Sequence, residues 1–429
     1  MKPVPNRYRP GGAAEAAEPE ALRLHLARWV VPVASPPLEG GAVATFGGRI
    51  VDVGPARELR TRYHAETHDH GDVVFMPAMV NAHCHLELSA LRGRLAPAGS
   101  FAAWVRALVA AREQADPAEW EPAAEEAALD MAINGVLAVG DVGNTPLVPR
   151  LAAKDPEAWP LHGVFFREVI APGGDSQDPG ELHAETPDPP GGKFRVALSA
   201  HAPYSVAPDL LRAIKAWDRD HGLPFAVHVA ESPEEVAFLR DGTGPIREFL
   251  EERGHIPPGF RPAGCSPVAA LHRLGLLDPG TLCIHCVHLE PGDEALLAES
   301  GAAACLCPRS NVFLGVGPPP AERLHAAGVP LALGTDSLAS NDNLSVFAEM
   351  ASLARLAPGL PPGAVIEAAT RGGARALALQ RELGTLSRGR VAAFLAVGPA
   401  PGRPSDVLEF VIHASAQDKA VCYWIEDTP

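Results

Sequence analysis

The sequence predicts a (β/α)8 TIM barrel beside a small β-sandwich domain built from both chain ends. Eight short apolar runs alternate with helical stretches across residues 73–382, the pattern of a barrel with covered parallel strands. Strand signals without intervening helices fill residues 21–72 and 383–429, which supplies the second domain. A Gly-rich nucleotide loop is missing after the early strands, which disfavours a doubly wound open sheet. At 429 residues the chain is longer than one core usually holds, so a large domain plus a smaller one is expected.

Residues 1–20 are rich in Pro, Gly, Ala and Glu and are expected to be poorly ordered. Strands follow at 22–26, 29–31, 41–46 and 49–53, with Gly47-Gly48 as a hairpin turn. The run Val73-Val74-Phe75-Met76, broken by Pro77, opens the first barrel strand at 73–80. The other seven are read at 135–141, 163–170, 194–201, 225–229, 282–287, 302–307 and 330–335. Helices are read at 101–114, 122–134, 208–220, 232–239, 292–300 and 344–356. Ser232-Pro233-Glu234-Glu235 carries a cap, a proline in the first turn and acids beside the helix N-terminus. Two Pro/Gly-rich connections, 171–192 and 255–267, follow strand C-termini and are expected to cover the active face. Segments 384–386, 393–397 and 420–424 return as strands and should join the N-terminal ones.

A formal charge of −16 argues against a broad nucleic-acid surface. No apolar run spans a membrane, and the first residues lack a secretory h-region. Seven scattered cysteines suggest reduced thiols in a cytoplasm. Cys283-x-x-Cys286 and Cys305-x-Cys307 invite a zinc-ribbon reading. In a strand, however, Cys283 and Cys286 face opposite ways, so these are read as small core residues.

The chemistry gathers at the strand ends. On an extended backbone His83 and His85 point the same way, and paired imidazoles can hold one divalent ion. Later strands end in His201-Ala202-Pro203-Tyr204, His228-Val229-Ala230-Glu231, His285-Cys286-Val287-His288 and Gly334-Thr335-Asp336-Ser337. Each alone reads as a core histidine or a helix cap. Together, at the C-terminal ends of barrel strands, they ring one pocket and read as a metal site.

Val80-Asn81-Ala82-His83-Cys84-His85, His228-Val229-Ala230-Glu231, His285-Cys286-Val287-His288 and Leu333-Gly334-Thr335-Asp336-Ser337 resemble, in order, the amidohydrolase superfamily in its cytosine deaminase and chlorohydrolase-like branch. The resemblance implies that His83, His85, His228 and Asp336 bind one divalent metal per chain, zinc ahead of iron. It implies that His285 and Asp336 contact the attacking water, that Glu231 shuttles protons, and that His201 lines the substrate pocket. His288 has no ligand role in that pattern. Some superfamily members hold a second metal through a lysine ending strand four; His201 stands there, and Lys193 lies at the other end of the strand. His85-Leu86-Glu87 also matches the His-x-Glu of polynucleotide deaminases, but their Pro-Cys-x-x-Cys partner is missing, so the match is taken as accidental.

Glu231 weighs towards deamination, since a chlorohydrolase expels chloride and has less need of a proton shuttle. His85-Leu86-Glu87-Leu88-Ser89 and Cys307-Pro308-Arg309-Ser310-Asn311-Val312-Phe313-Leu314-Gly315 resemble the aminodeoxyfutalosine deaminases of menaquinone synthesis. That implies an adenine nucleoside substrate bearing a benzoate. Arg309 first, then Arg167, are expected to clamp the carboxylate, with Asn311 beside the substrate. Alternatives are deamination of S-adenosylhomocysteine, methylthioadenosine or guanine, triazine hydrolysis, and a catalytically dead scaffold on the same fold. The expected partner is a small molecule, with no nucleic acid and no membrane. A homodimer is the assembly to test.

Overall fold

The computed structural model describes residues 21–172, 177–414 and 421–426. Residues 1–20, expected to be poorly ordered, lie outside them, as do Ala420 and part of the 171–192 connection.

Eight parallel strands form the barrel: β6 (Met79–Cys84), β7 (Val136–Gly143), β8 (His162–Val169), β9 (Phe194–Ala200), β10 (Phe225–Val229), β11 (Thr281–His285), β12 (Ala303–Leu306) and β13 (Leu331–Leu333). They pair in sequence order from β6 to β13. The ring closes where Cys84 bridges Asp336 and the Thr335 N–H donates to the His83 carbonyl at 3.0 Å. These strands are nearly continuous apolar runs because both faces are covered. Alternate residues divide accordingly. Val80, Ala82, Val164, Phe166, Leu282 and Ile284 belong to one buried cluster inside the ring. Phe165, Val196, Leu198, Val227, Val229 and Cys283 pack outward with helix residues such as Leu211 and Ile214. The interior strand positions 82, 138, 197, 226, 303 and 332 are all alanine, which suits a packed barrel lumen.

The helices expected at 101–114 and 208–220 form as Phe101–Gln114 and Pro208–Asp220. Ser232 caps Pro233–Asp241 by accepting from the Glu235 N–H, which satisfies a first-turn donor.

The remaining strands are β1 (Arg23–Val30), β2 (Leu38–Phe46), β3 (Arg49–Pro55), β4 (Glu66–Asp69), β5 (Val74–Pro77), β14 (Ala393–Gly398) and β15 (Val421–Glu426). They hydrogen-bond into one seven-stranded sheet, β15-β14-β5-β1-β2-β3, with β4 paired to β1 beside β5. Gly47 and Gly48 turn between β2 and β3 with φ of +56° and +68°, as a two-residue hairpin requires. Segment 384–386 is not a strand; the Leu386 N–H donates to the Pro32 carbonyl at 3.0 Å and ties this stretch to the N-terminal strands.

Two expectations need correction. The run at 73–76 does not open the barrel. Val74–Pro77 pairs with β1 and β14 in the small sheet, and the first barrel strand begins at Met79. Both strands are buried on both faces, so nothing in their hydrophobicity marks the change of domain. Cys286 also lies beyond its strand, which ends at His285. Residues 285 and 286 have φ of +76° and +49°, and the Cys286 thiol reaches back to the Cys283 carbonyl at 3.6 Å. Cys84, Cys283, Cys286, Cys305 and Cys307 are nevertheless buried as core residues. Among the described residues no helix is long and apolar enough to cross a membrane.

Candidate metal centre and active site

The C-terminal ends of the barrel strands carry strained backbone. Among the described residues, Ala230, His285, Cys286 and Asp336 are four of the six non-glycine positions with positive φ. Such conformations persist only where the surroundings enforce them, and they cluster at functional sites. Here they stand at or just beyond the ends of β10, β11 and β13; His285 and Asp336 border one cavity, while Ala230 and Cys286 pack into the core outside the ring.

His83, His228 and His285 present nitrogens within 4.8 Å of one another, and so do the ligand atoms of His83, His85 and Asp336. His83 is fully buried, and neither ring nitrogen has a hydrogen-bond partner among the described residues. A buried imidazole with no partner is poorly satisfied in protein alone but well satisfied as a metal ligand. Asp336 Oδ1 lies 3.7 Å from Nε2 of both His83 and His85. Its other oxygen accepts from Ser310 and Ser340, at 2.5 and 2.9 Å. His228 Nδ1 donates to the His201 carbonyl at 2.9 Å, which leaves its Nε2 lone pair for an ion. The donor set of imidazoles and one carboxylate fits a divalent ion such as zinc.

Electrostatics agree with that use. Burial lowers His85 and His228 to about 4 and lowers His83 as well, so the rings stay neutral and able to ligate. Burial would raise Asp336, but the His83 ring 3.7 Å away and the nearby His85 and His285 rings hold it well below the ordinary carboxylate value.

Glu231 lies outside that ligand set. Its carboxyl is 3.4 Å from His285 Nε2, and burial, then Asp336 and Glu235, push it well above the usual glutamate value. His285 is fixed from behind, with Asn311 Nδ2 3.1 Å from its Nδ1. Asn311 is buried and acts on the histidine, not on the cavity wall. His201 does line the cavity; its Nδ1 is 2.6 Å from the Ser205 hydroxyl. His288 donates to the Val316 carbonyl at 2.8 Å, a structural role. Lys193 sits at the opposite end of the barrel, beside His162 at the start of β8.

The cavity over this centre has a volume of about 230 Å³, and Phe101, Trp104, Leu108, Ile170 and Phe249 give it a largely apolar wall. Helix Phe101–Gln114 covers it. Glu234 accepts from the Phe101 and Ala102 N–H groups at the helix start, at 3.0 and 2.8 Å, where a carboxylate is favoured by the helix dipole. Both expected cover loops contribute: Pro172 borders the cavity from one, beside Ile170 just before it, and His255 from the other.

Arg309 and Arg167, expected at the substrate, are elsewhere. Arg309 is held by Asp342, Asn343 and Glu349 behind the Asp336 loop. Arg167 donates to the Glu168 carbonyl at 2.9 Å and lies 3.9 Å from Glu185. Side-chain alternation explains it. Phe165 packs outward and Phe166 inward, so Arg167 turns away from the axis and Glu168 towards it. That parity was available in the sequence and points to Glu168.

A second set of cavity residues also escaped the sequence reading. Glu87 binds the Arg112 guanidinium and accepts from the Thr145 N–H and hydroxyl, both at 2.9 Å. Arg112 donates to Asn144 Oδ1 at 2.7 Å, and Asn144 Nδ2 donates to Glu168 at 2.8 Å. Glu87 thus anchors the cavity wall, a role its resemblance to an unrelated motif concealed. The arginines bordering the cavity are Arg112 and Arg253.

The family model for the Amidohydrolase family matches residues 74–421. The aminodeoxyfutalosine deaminase of Deinococcus radiodurans is 33% identical over 354 residues, covering 78% of this chain and 81% of that protein. The 5-methylthioadenosine/S-adenosylhomocysteine deaminase of Moorella thermoacetica is 30% identical over 404 residues, covering 90% and 88%. A crystal structure of an adenosine deaminase from Xanthomonas campestris with bound zinc superposes with a TM-score of 0.73 at 27% identity, covering 91% of this chain and 88% of that one. With its strand-end histidines, its buried aspartate and a family match over most of its length, this chain belongs to the amidohydrolase family.

Proposed function

We propose that the protein is a metal-dependent hydrolytic deaminase of an adenine nucleoside bearing a carboxylated aromatic group, 6-aminodeoxyfutalosine in menaquinone biosynthesis. His83, His85, His228 and Asp336 would hold one divalent ion, and zinc suits these ligands. The observation that carries the reading is Glu231: a buried carboxyl, pushed by burial well above the usual glutamate value, beside His285 and the ligand cluster on an apolar cavity. The relatives' activities on adenine nucleosides support it.

The ion supplies Lewis acidity that makes water a usable nucleophile near neutral pH. Asp336 would take the proton of that water on Oδ1, since its Oδ2 already accepts from two serine hydroxyls, with His285 beside it. Glu231 donates its proton to the ring nitrogen next to the attacked carbon, which makes that carbon more electrophilic. The carbon–oxygen bond forms, the carbon–nitrogen bond breaks, ammonia departs with the proton that Asp336 took from water, and the proton left on the new hydroxyl returns to Glu231 as the carbonyl forms. The aromatic wall of Phe101, Trp104 and Phe249 stacks against the rings and excludes bulk water.

The carboxylate needs a cation, and Arg112 is already neutralised by Glu87. Arg253, at the cavity edge with its guanidinium 5.1 Å from the Phe249 ring centre, takes that role. An ammonia-release assay over aminodeoxyfutalosine, S-adenosylhomocysteine, methylthioadenosine, adenosine and guanine tests the assignment. The carboxylated aryl nucleoside should give the highest kcat/KM, and Arg253→Met should lower that value selectively, by roughly 10-fold or more. A higher value for S-adenosylhomocysteine or methylthioadenosine would reassign the substrate, and no ammonia from any of them by metal-loaded protein would end the deaminase reading.

A further inference from the structure

We propose that Glu168 is a specificity-determining residue that accepts a hydrogen bond from a hydroxyl of the substrate's sugar. The proposal rests on the nucleoside reading above. Glu168 ends β8 towards the barrel axis, is 5% exposed and borders the cavity. One carboxylate oxygen, Oε2, accepts from Asn144 at 2.8 Å. The other, Oε1, is buried without a hydrogen-bond partner among the described residues. The carboxylate neighbours His228 Nδ1, 3.7 Å from Oε1 with its N–H already given to the His201 carbonyl, and a ring nitrogen of His201 within 4.8 Å of a carboxylate oxygen. A buried carboxylate oxygen with no donor is costly, so its retention on a ligand cavity points to a donor that arrives with the ligand.

The oxygen is also built into place. Asn144 is oriented by Arg112, Arg112 is held by Glu87, and Glu87 is fixed by Thr145. Four side chains from separate strand ends and the covering helix thus converge on the aim of one oxygen, as a site that must discriminate requires.

Its position selects the donor. Glu168 meets His228 on the Nδ1 edge, whereas an ion takes the Nε2 edge. Oε1 therefore lies on the side of the His228 ring away from the ion position, and so away from the attacked carbon. An adenine nucleoside carries donors in two places: the amino group on the attacked carbon, and the sugar hydroxyls. The amino group belongs beside Glu231 and Asp336, so a hydroxyl reaches Glu168. The negative charge of Glu168 also repels a carboxylated tail, which directs that tail to the Arg253 side of the cavity.

The test is a cycle of variants and substrates with metal-loaded protein: unmutated and Glu168→Gln, each with adenosine, 2′-deoxyadenosine and 3′-deoxyadenosine. Glutamine keeps the bond from Asn144 but turns a donor towards the sugar. A charge-assisted hydrogen bond predicts a loss of roughly 10- to 100-fold in kcat/KM on adenosine. The unmutated protein should lose a similar factor on one of the deoxynucleosides, and on that compound the variant should match it within about threefold, since the same bond cannot be lost twice. Equal losses on all three nucleosides, or a fall in bound metal by elemental analysis, would make Glu168 a scaffold or a ligand and overturn the proposal. An unmutated protein that does not distinguish adenosine from either deoxynucleoside would overturn it without any variant. Failure to deaminate any nucleoside would instead strike the functional reading itself.

Discussion

Replacing Glu231 by glutamine removes a transferable proton and keeps the length and shape of the side chain. Glu231 is outside the group formed by His83, His85 and Asp336, and its carboxyl faces His285, not the ion position. The variant should therefore keep its metal. Its backbone N–H bond to Glu235, 2.8 Å long, is untouched, so the turn after β10 should hold. General acid–base groups contribute about 10²- to 10⁴-fold, or about 3–5 kcal/mol of barrier. Burial favours the neutral acid, which places Glu231 at the efficient end of that range, and Glu231→Gln should lower kcat by about 10³-fold with little change in KM. The pH profile gives a second readout. Because the glutamate value is raised, the unmutated enzyme should lose activity on the alkaline side as Glu231 gives up its proton, and the variant's residual rate should lack that limb. The assay is ammonia release by protein whose metal content has been measured. Near-normal turnover with a full complement of metal, or an unchanged alkaline limb, would refute the role.

Protein prepared without chelator should contain about one divalent ion per chain, and His83→Ala or Asp336→Asn should lose it; two tightly bound ions, or none in active protein, would contradict the ligand set. Arg309→Met should destabilise the fold, because the guanidinium holds Asn343 and Asp342 and stands 3.7 Å from buried Glu349, while leaving the ranking of substrates unchanged; thermal unfolding and relative kcat/KM values check this, and a selective loss on carboxylated substrate would return Arg309 to the site. Metal-free protein should weaken on acidification. Burial lowers His85, His201 and His228 to about 4 in the folded chain against 6.5 ordinarily, so the unfolded chain binds more protons between those values. Stability is then full above about 6.5 and falls as pH drops towards about 4, by at most on the order of 3 kcal/mol per ring. Urea midpoints that stay flat across that window would contradict the burial of neutral rings.

The metal centre was legible because its information is local. His83 and His85 share a strand end, and a barrel brings the ends of β6, β10, β11 and β13 to one ring whatever the loops do. The boundary between domains was less so: residues 73–84 are apolar on both faces in both sheets, and only the pairing partners distinguish Val74–Pro77 from Met79–Cys84. Substrate recognition was the least legible, for a different reason. Arg112 comes from the covering helix, Asn144 from beyond β7 and Glu87 from beyond β6, and no spacing in the chain fixes how three such connections fold over one cavity.

Arg309 and Glu168 show where the line falls. Arg309 has the right chemistry for a carboxylate and follows β12 on the correct face, yet it starts a helix whose first turn carries the side chain towards Glu349 and Asp342. Its destination depends on helix geometry after the strand. Glu168 is still inside β8, where alternation decides direction, and the inward Phe166 two residues earlier sets its aim. Strand-borne groups can thus be assigned to the axis or the outside by parity, while loop-borne groups need the fold. The same division assigns the chemistry. The proposed ligand His83 and the proposed sugar acceptor Glu168 stand on strands, where position is most rigid, and Glu231, the proposed proton shuttle, follows β10 by two residues and is pinned by Glu235. The residues proposed to choose among tails, Arg253 above all, stand on connections that can change without disturbing the ring.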